Sequence, residues 1–214
     1  MGTDNKSELI IEAGERVFPV LGYHNATVED IIKEAGVARS TFYAYFSNKR
    51  EIFETVVTHV VDGILEAIES GIDSITTRFG VPEDQRPPDS ELAEALVDVM
   101  AGVLGFIDEN KGITKIFFND LVGIDDEMTR LFHDFQDRFT GDFERLMKFG
   151  VAIGFLRDVN ERRAAEFIVG GMIHIARNIS SEIVDYNVRE ISEEIIDIQL
   201  NGVRLAPVSV SGRR

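Results

Sequence analysis

The chain has 214 residues, 38 Asp and Glu against 22 Lys and Arg, and no cysteine. A hydrophobic content of 44% and a charged content of 28% suit a globular protein with chain enough for one large domain, or a small one joined to a larger one. The missing cysteines exclude disulfides, Cys-ligated zinc and iron–sulfur clusters, and a net charge of −16 argues against indiscriminate coating of nucleic acid. No apolar run approaches the ~20 residues of a membrane span. The N-terminal MGTDNKSE lacks the basic flank and apolar core of a signal peptide, so the expected location is the cytoplasm.

The pattern is helical nearly throughout, with about nine helices and no alternating strand signal. Leu9, Ile10, Ala13, Val17 and Leu21 recur at three- and four-residue spacing, and Gly22 follows as a stop. Gly14 and Pro19 lie inside this first helix, so an irregular last turn is expected. Thr27 stands before VEDIIKEA with Asp30 three residues on, an N-cap with a near capping box, and Gly36 closes the segment. A third segment runs from about Ala38 to Phe46. Asn48 with Glu51 opens a long helix whose apolar positions include Ile52, Phe53, Val56, Val60, Ile64 and Ile68. Gly80 to Ser90 is a loop carrying three of the five prolines. Further helices are expected over Leu92–Ile107, Ile113–Leu121, about Asp126–Phe149, from the cap Asn160 to about Val184, and from Ile191 to about Leu205. A small, polar tail follows Pro207.

Within this acidic chain, Ala35 to Arg50 contains Arg39, Lys49 and Arg50 and no acidic residue. Two short helices about the turn Gly36-Val37, with Ile31, Ile32, Val37 and Phe42 as a small core, fit a helix-turn-helix. Arg39, Ser40 and Thr41 would then stand at the exposed start of the second helix, where an Arg can pair bidentately with guanine. Tyr43 and Tyr45 offer hydroxyls at phosphate distance, and Lys49 offers a charge beside free helix N–H groups. The plain alternative is a helical hairpin in which Phe42 and Phe46 are core, and for those two residues core is the reading adopted.

The segment resembles the DNA-binding domain of the TetR family of bacterial transcriptional regulators. Gly36-Val37, Thr41-Phe42-Tyr43, Tyr45-Phe46 and Lys49 follow one another as in that family, and Gly22-Tyr23 and Thr27 fall where the family places them. The resemblance covers about Leu9 to Phe53. It implies that Thr27 caps the second helix and touches phosphate, that Arg39, Ser40 and Thr41 face the major groove, and that Tyr43, Tyr45 and Lys49 grip the backbone. Ala38 departs from the family's usual Ser or Thr at the recognition-helix cap, and Pro19 is a second departure.

The resemblance divides the chain into a DNA-binding head at 1–47, a helical effector-binding and dimerisation domain at 48–205, and a flexible tail at 206–214. It implies double-stranded DNA with a palindromic operator, a small hydrophobic effector and a homodimer through the last two helices. Ala164, Ile168, Gly171, Ile175 and Ile179 form one stripe, and Ile191, Ile195, Ile198 and Gly202 another. These stripes fit either a partner subunit or packing within one chain. Phe132, Phe135, Phe139 and Phe143 share a helical face, which suits core or pocket. The expected effector pocket comprises Phe106, Phe117, Phe135, Phe139, His174 and Asn178, the last two fitting equally a contact across the dimer. Sparse basic residues near these aromatics favour a neutral or cationic hydrophobic effector over a large polyanion.

The four histidines show no metal-ligand spacing, and neither a Gly-rich phosphate loop nor a Gly-x-Ser-x-Gly elbow occurs. No metal, cofactor or catalytic residue is expected. The reading is an all-α, ligand-responsive DNA-binding regulator, acting as a repressor and not an enzyme. The alternative is a helical small-molecule binding or interaction protein that has lost DNA binding, which Ala38, Pro19 and the acidic charge support.

Overall fold

The computed structural model describes residues 4–182 and 186–203. The expected ends of the last two helices near Val184 and Leu205, and the tail 206–214, lie outside the described residues.

Among these residues the fold is all-α, with nine α-helices and no strand. Helix α1 (Asp4–Asn25) buries Ile10, Ala13, Val17 and Phe18, whereas Leu9 and Leu21 of the expected stripe are exposed. Its irregularity sits at Gly22, whose φ of 74° breaks the helix three residues past Pro19. Helices α2 (Val28–Ala35) and α3 (Arg39–Tyr45) are joined by Gly36. Gly36 adopts a left-handed φ of 65°, a conformation that glycine enters without the Cβ penalty of other residues. Ile31 and Phe42 are fully buried between them.

Helix α4 (Lys49–Phe79) is 31 residues long and buries twelve of them along one face. Asn48 Oδ1 accepts the Glu51 N–H at 3.0 Å, the expected cap, while the Glu51 carboxylate reaches back to the Ser47 N–H at 2.6 Å. Helix α4 packs on α1 at one end and on α5 (Asp89–Glu109) and α7 (Asp126–Ala152) further along, so it joins head and body. Helices α8 (Glu161–Ser180) and α9 (Val188–Val203) complete the body, α8 against α7 and α9 against α5.

The expected helix Ile113–Leu121 is in fact composite. A short α6 (Lys111–Lys115) widens into a π-helical turn at Ile116–Asp120 and tightens into a 3₁₀ turn at Leu121–Gly123. Ile116, Phe117 and Phe118 are all buried, so three consecutive side chains face the core. Arg177 Nε of α8 donates to Phe118 O at 2.7 Å, giving this irregular turn an outside partner. At the other end of α6, Gly112 touches Pro19 of α1: a Cβ at Gly112 would lie 2.7 Å from the proline Cβ. Pro19 thus marks a tight head–body contact.

Candidate nucleic-acid interface and apolar cavity

Thr27 makes a full capping box. Its hydroxyl accepts the Asp30 N–H at 3.2 Å and donates to Asp30 Oδ2 at 2.6 Å, and its own N–H donates to that oxygen at 3.0 Å. The Thr27 hydroxyl first, and then its N–H, hold the Asp30 carboxyl below its ordinary range. Helix α3 has no such device. Ala38 is its N-cap with no side-chain hydrogen bond, and only backbone bonds close the first turn, from the Thr41 N–H at 2.9 Å and the Phe42 N–H at 3.2 Å to Ala38 O.

Arg39 and Ser40 are exposed at the start of α3, Thr41 is half-buried, Tyr43 is exposed and Tyr45 is half-buried against the core. The three basic side chains of the sequence island all meet oxygens. Arg39 Nη1 lies 2.7 Å from Glu29 Oε1, and its guanidinium stands 5.6 Å from the Tyr43 ring centroid. Lys49 Nζ donates to Tyr23 O at 2.6 Å and His24 O at 3.2 Å, and lies 4.6 Å from the Tyr23 ring centroid. It therefore serves the free carbonyls at the end of α1. Arg50 bridges to the start of α7, with Nε 3.1 Å from Asp125 Oδ2 and Nη2 2.8 Å from Glu127 Oε2. These bonds raise the Arg50 pKa, the Glu127 bond most.

The island, free of acids in sequence, is thus not free of them in space. Glu29 was missed as a neighbour of Arg39 because ten positions separate them and no local spacing rule joins the second residue of α2 to the first of α3. The bridge from Arg50 to Asp125 spans 75 positions and is likewise invisible to pattern.

In the body, a narrow apolar cavity lies among α4, α5, α7, α8 and α9. Ile68, Met100, Phe143, Met147 and Met172 form much of its wall, and Gln199 supplies the one polar side chain of its lining. None of the six expected pocket residues lines it. Phe135 and Phe139 instead border a second, tighter space, which shares Val103 and Met172 with the first. Phe117 is locked in an aromatic cluster, 5.0 Å from both Phe118 and Phe135. Phe106 packs against Gly63 of α4. His174 is exposed on α8 and Asn178 is half-buried, with Asn178 Nδ2 3.5 Å from His174 Nε2. The reason lies in shape. Edge-to-face rings fill volume around Phe117 and Phe135, and space opens where Phe143, Phe149 and Phe155 are interspersed among Met, Leu, Ile and Val.

Phe167 of α8 is 85% exposed and Ile198 of α9 is 71% exposed. Of the α8 stripe, which fits either a partner or packing within the chain, Ile168 and Ile179 are buried within the subunit. Among the described residues no helix is long and apolar enough to cross a membrane, and no group of three or more His, Cys, Asp or Glu is placed to hold a metal ion.

A capped helix-turn-helix on a long helix that runs into an apolar-cored bundle defines the class: an all-α helix-turn-helix protein with a helical body. Residues 10–56 match the family described as bacterial regulatory proteins, tetR family, and the chain carries that family's N-terminal domain. It is 28% identical over 117 residues to the HTH-type transcriptional regulator YdgC of Bacillus subtilis, covering 55% of this chain and 54% of that protein. It is 30% identical over 120 residues to the HTH-type transcriptional activator FasR of Mycolicibacterium smegmatis, covering 56% and 48%. The alignments thus span about half the length of these relatives. The crystal structure of the regulator FadR from Bacillus subtilis in complex with stearoyl-CoA superposes with a TM-score of 0.72 over 92% of this chain and 99% of that one. At 19% identity that likeness establishes the fold, body included.

Proposed function

We propose that the chain is a homodimeric, ligand-responsive transcriptional regulator, a repressor released from a palindromic operator when a hydrophobic small molecule enters the body. The observation that carries this is helix α4. Its first turn holds the head through Lys49, and Ile68 and Ile75 on the same helix line the apolar cavity. At 1.5 Å per residue the two ends lie ~30–40 Å apart, so a small tilt at the cavity moves the head.

In this reading Arg39, Ser40 and Thr41 enter the major groove. Thr27, Tyr43, Tyr45 and the remaining N–H of Lys49 meet phosphates. Two heads must stand ~34–36 Å apart, which a second subunit docked on Phe167 and Ile198 would supply. The effector's buried part is an uncharged apolar chain, because the cavity lining offers Gln199 alone as a polar side chain. The stearoyl-CoA bound by the FadR neighbour is a compound with such a chain. DNA and effector favour different tilts of α4, so each weakens the other reciprocally.

The test begins with duplexes selected by the protein from a random pool, followed by titration with saturated acyl chains of graded length. Release from the selected duplex should depend on chain length, and Val103→Phe should abolish release while leaving DNA affinity intact. Selection of no sequence, or release unaffected by any apolar compound, would overturn the reading. The second reading, a helical ligand-binding protein that has lost DNA binding, draws support from the partnered Arg39, Lys49 and Arg50. A salt-dependent titration with DNA separates the two.

A further inference from the structure

We infer that Glu29 is a specificity-determining residue of the head: it holds Arg39 for base reading and penalises contact with phosphates. This rests on the DNA-binding reading above. Glu29 is the second residue of α2 and Arg39 the first of α3, and their side chains meet at 2.7 Å across the Gly36 turn. Both side chains are well exposed, 60% and 66%, so they share the surface that α3 presents. The guanidinium is approached from a second side by the Tyr43 ring, at 5.6 Å.

An exposed ion pair of this kind contributes little to folding. Its consequence lies in what Arg39 meets. A guanidinium has five N–H donors, and the contact with Glu29 uses Nη1. Bound to guanine O6 and N7, the arginine faces neutral acceptors and can keep its carboxylate partner. Bound to a phosphate, it brings Glu29 beside a second anion, and the like charges oppose the contact. Glu29 therefore costs more in a random complex, which rests on phosphates, than in an operator complex, which places Arg39 on a base. The acid adjoining the basic island thus raises the ratio of specific to random binding instead of merely lowering affinity.

The test compares wild type, Glu29→Gln, Arg39→Ala and the double variant on the wild-type selected duplex and on a random duplex across one series of salt concentrations. Glu29→Gln should bind random DNA about tenfold more tightly, lose several-fold in the operator-to-random ratio, and steepen the salt slope by ~1 as Arg39 gains a phosphate. In the Arg39→Ala background the same substitution should leave the ratio unchanged. An unchanged ratio in the single variant, or an equal loss in both backgrounds, overturns the inference. If wild type itself selects no sequence, the DNA-binding reading fails first, in an arm that does not involve Glu29.

Discussion

Lys49 is the residue for which sequence and structure suggest different work, and Lys49→Met separates the two. Methionine keeps an unbranched stem beside the Tyr23 ring and removes the ammonium. Two hydrogen bonds vanish, at 2.6 and 3.2 Å, leaving the Tyr23 and His24 carbonyls without that donor. A hydrogen bond to a charged group contributes ~1.5–3 kcal/mol when buried. One of these is part-buried and the other exposed, so after discounting for solvent the loss is about 2 kcal/mol. For a chain of this size that lowers Tm by roughly 4–8 °C, read by calorimetry at one fixed protomer concentration. DNA affinity should fall for all sequences alike, with the salt slope shallower by ~1. A Tm that moves by less than about 1 °C would refute the latch between α1 and α4. If DNA binding still fell, Lys49 would be a phosphate contact alone.

Two further outcomes are expected. Phe167→Glu places a charge on the exposed face of α8 and should convert the protein from dimer to monomer in sedimentation equilibrium at micromolar concentration, its far-UV dichroism unchanged; a variant that still sediments as a dimer moves the interface elsewhere. The Asp125 carboxyl is held below its ordinary range, first by the Met128 N–H and then, against some desolvation, by Arg50 and the Glu127 N–H. A depressed folded pKa means stability that is complete above the unfolded value of about 4 and lost as pH falls through the folded one. Asp125→Asn should therefore flatten the decline of Tm below about pH 4, and a slope equal to wild type would show that the carboxylate charge is not linked to folding.

The head was legible because its signals are local. Thr27 with Asp30, Gly36, and Asn48 with Glu51 act over three or four residues, and each appears in the structure as the spacing predicts. The body was legible as helices and not as a site. The Phe132–Phe143 stripe shares one face, yet periodicity cannot say whether facing rings interlock or leave a gap. That depends on Phe117 and Phe118, which a π-helical turn delivers to the same place. Periodicity also set Ile168 and Ile179 on one stripe without saying what that stripe meets; both are buried within the subunit, and Phe167 is left exposed.

The sequence by itself determined the all-α class, the helix-turn-helix and the order of residues along its second helix, because caps, turns and period are set by near neighbours. The tertiary structure alone decided where the apolar space opens and which charges meet. Glu29 with Arg39, Lys49 with the end of α1, and Arg50 with Asp125 are all pairings across elements. Such meetings follow from how helices cross, and no spacing within one helix encodes them.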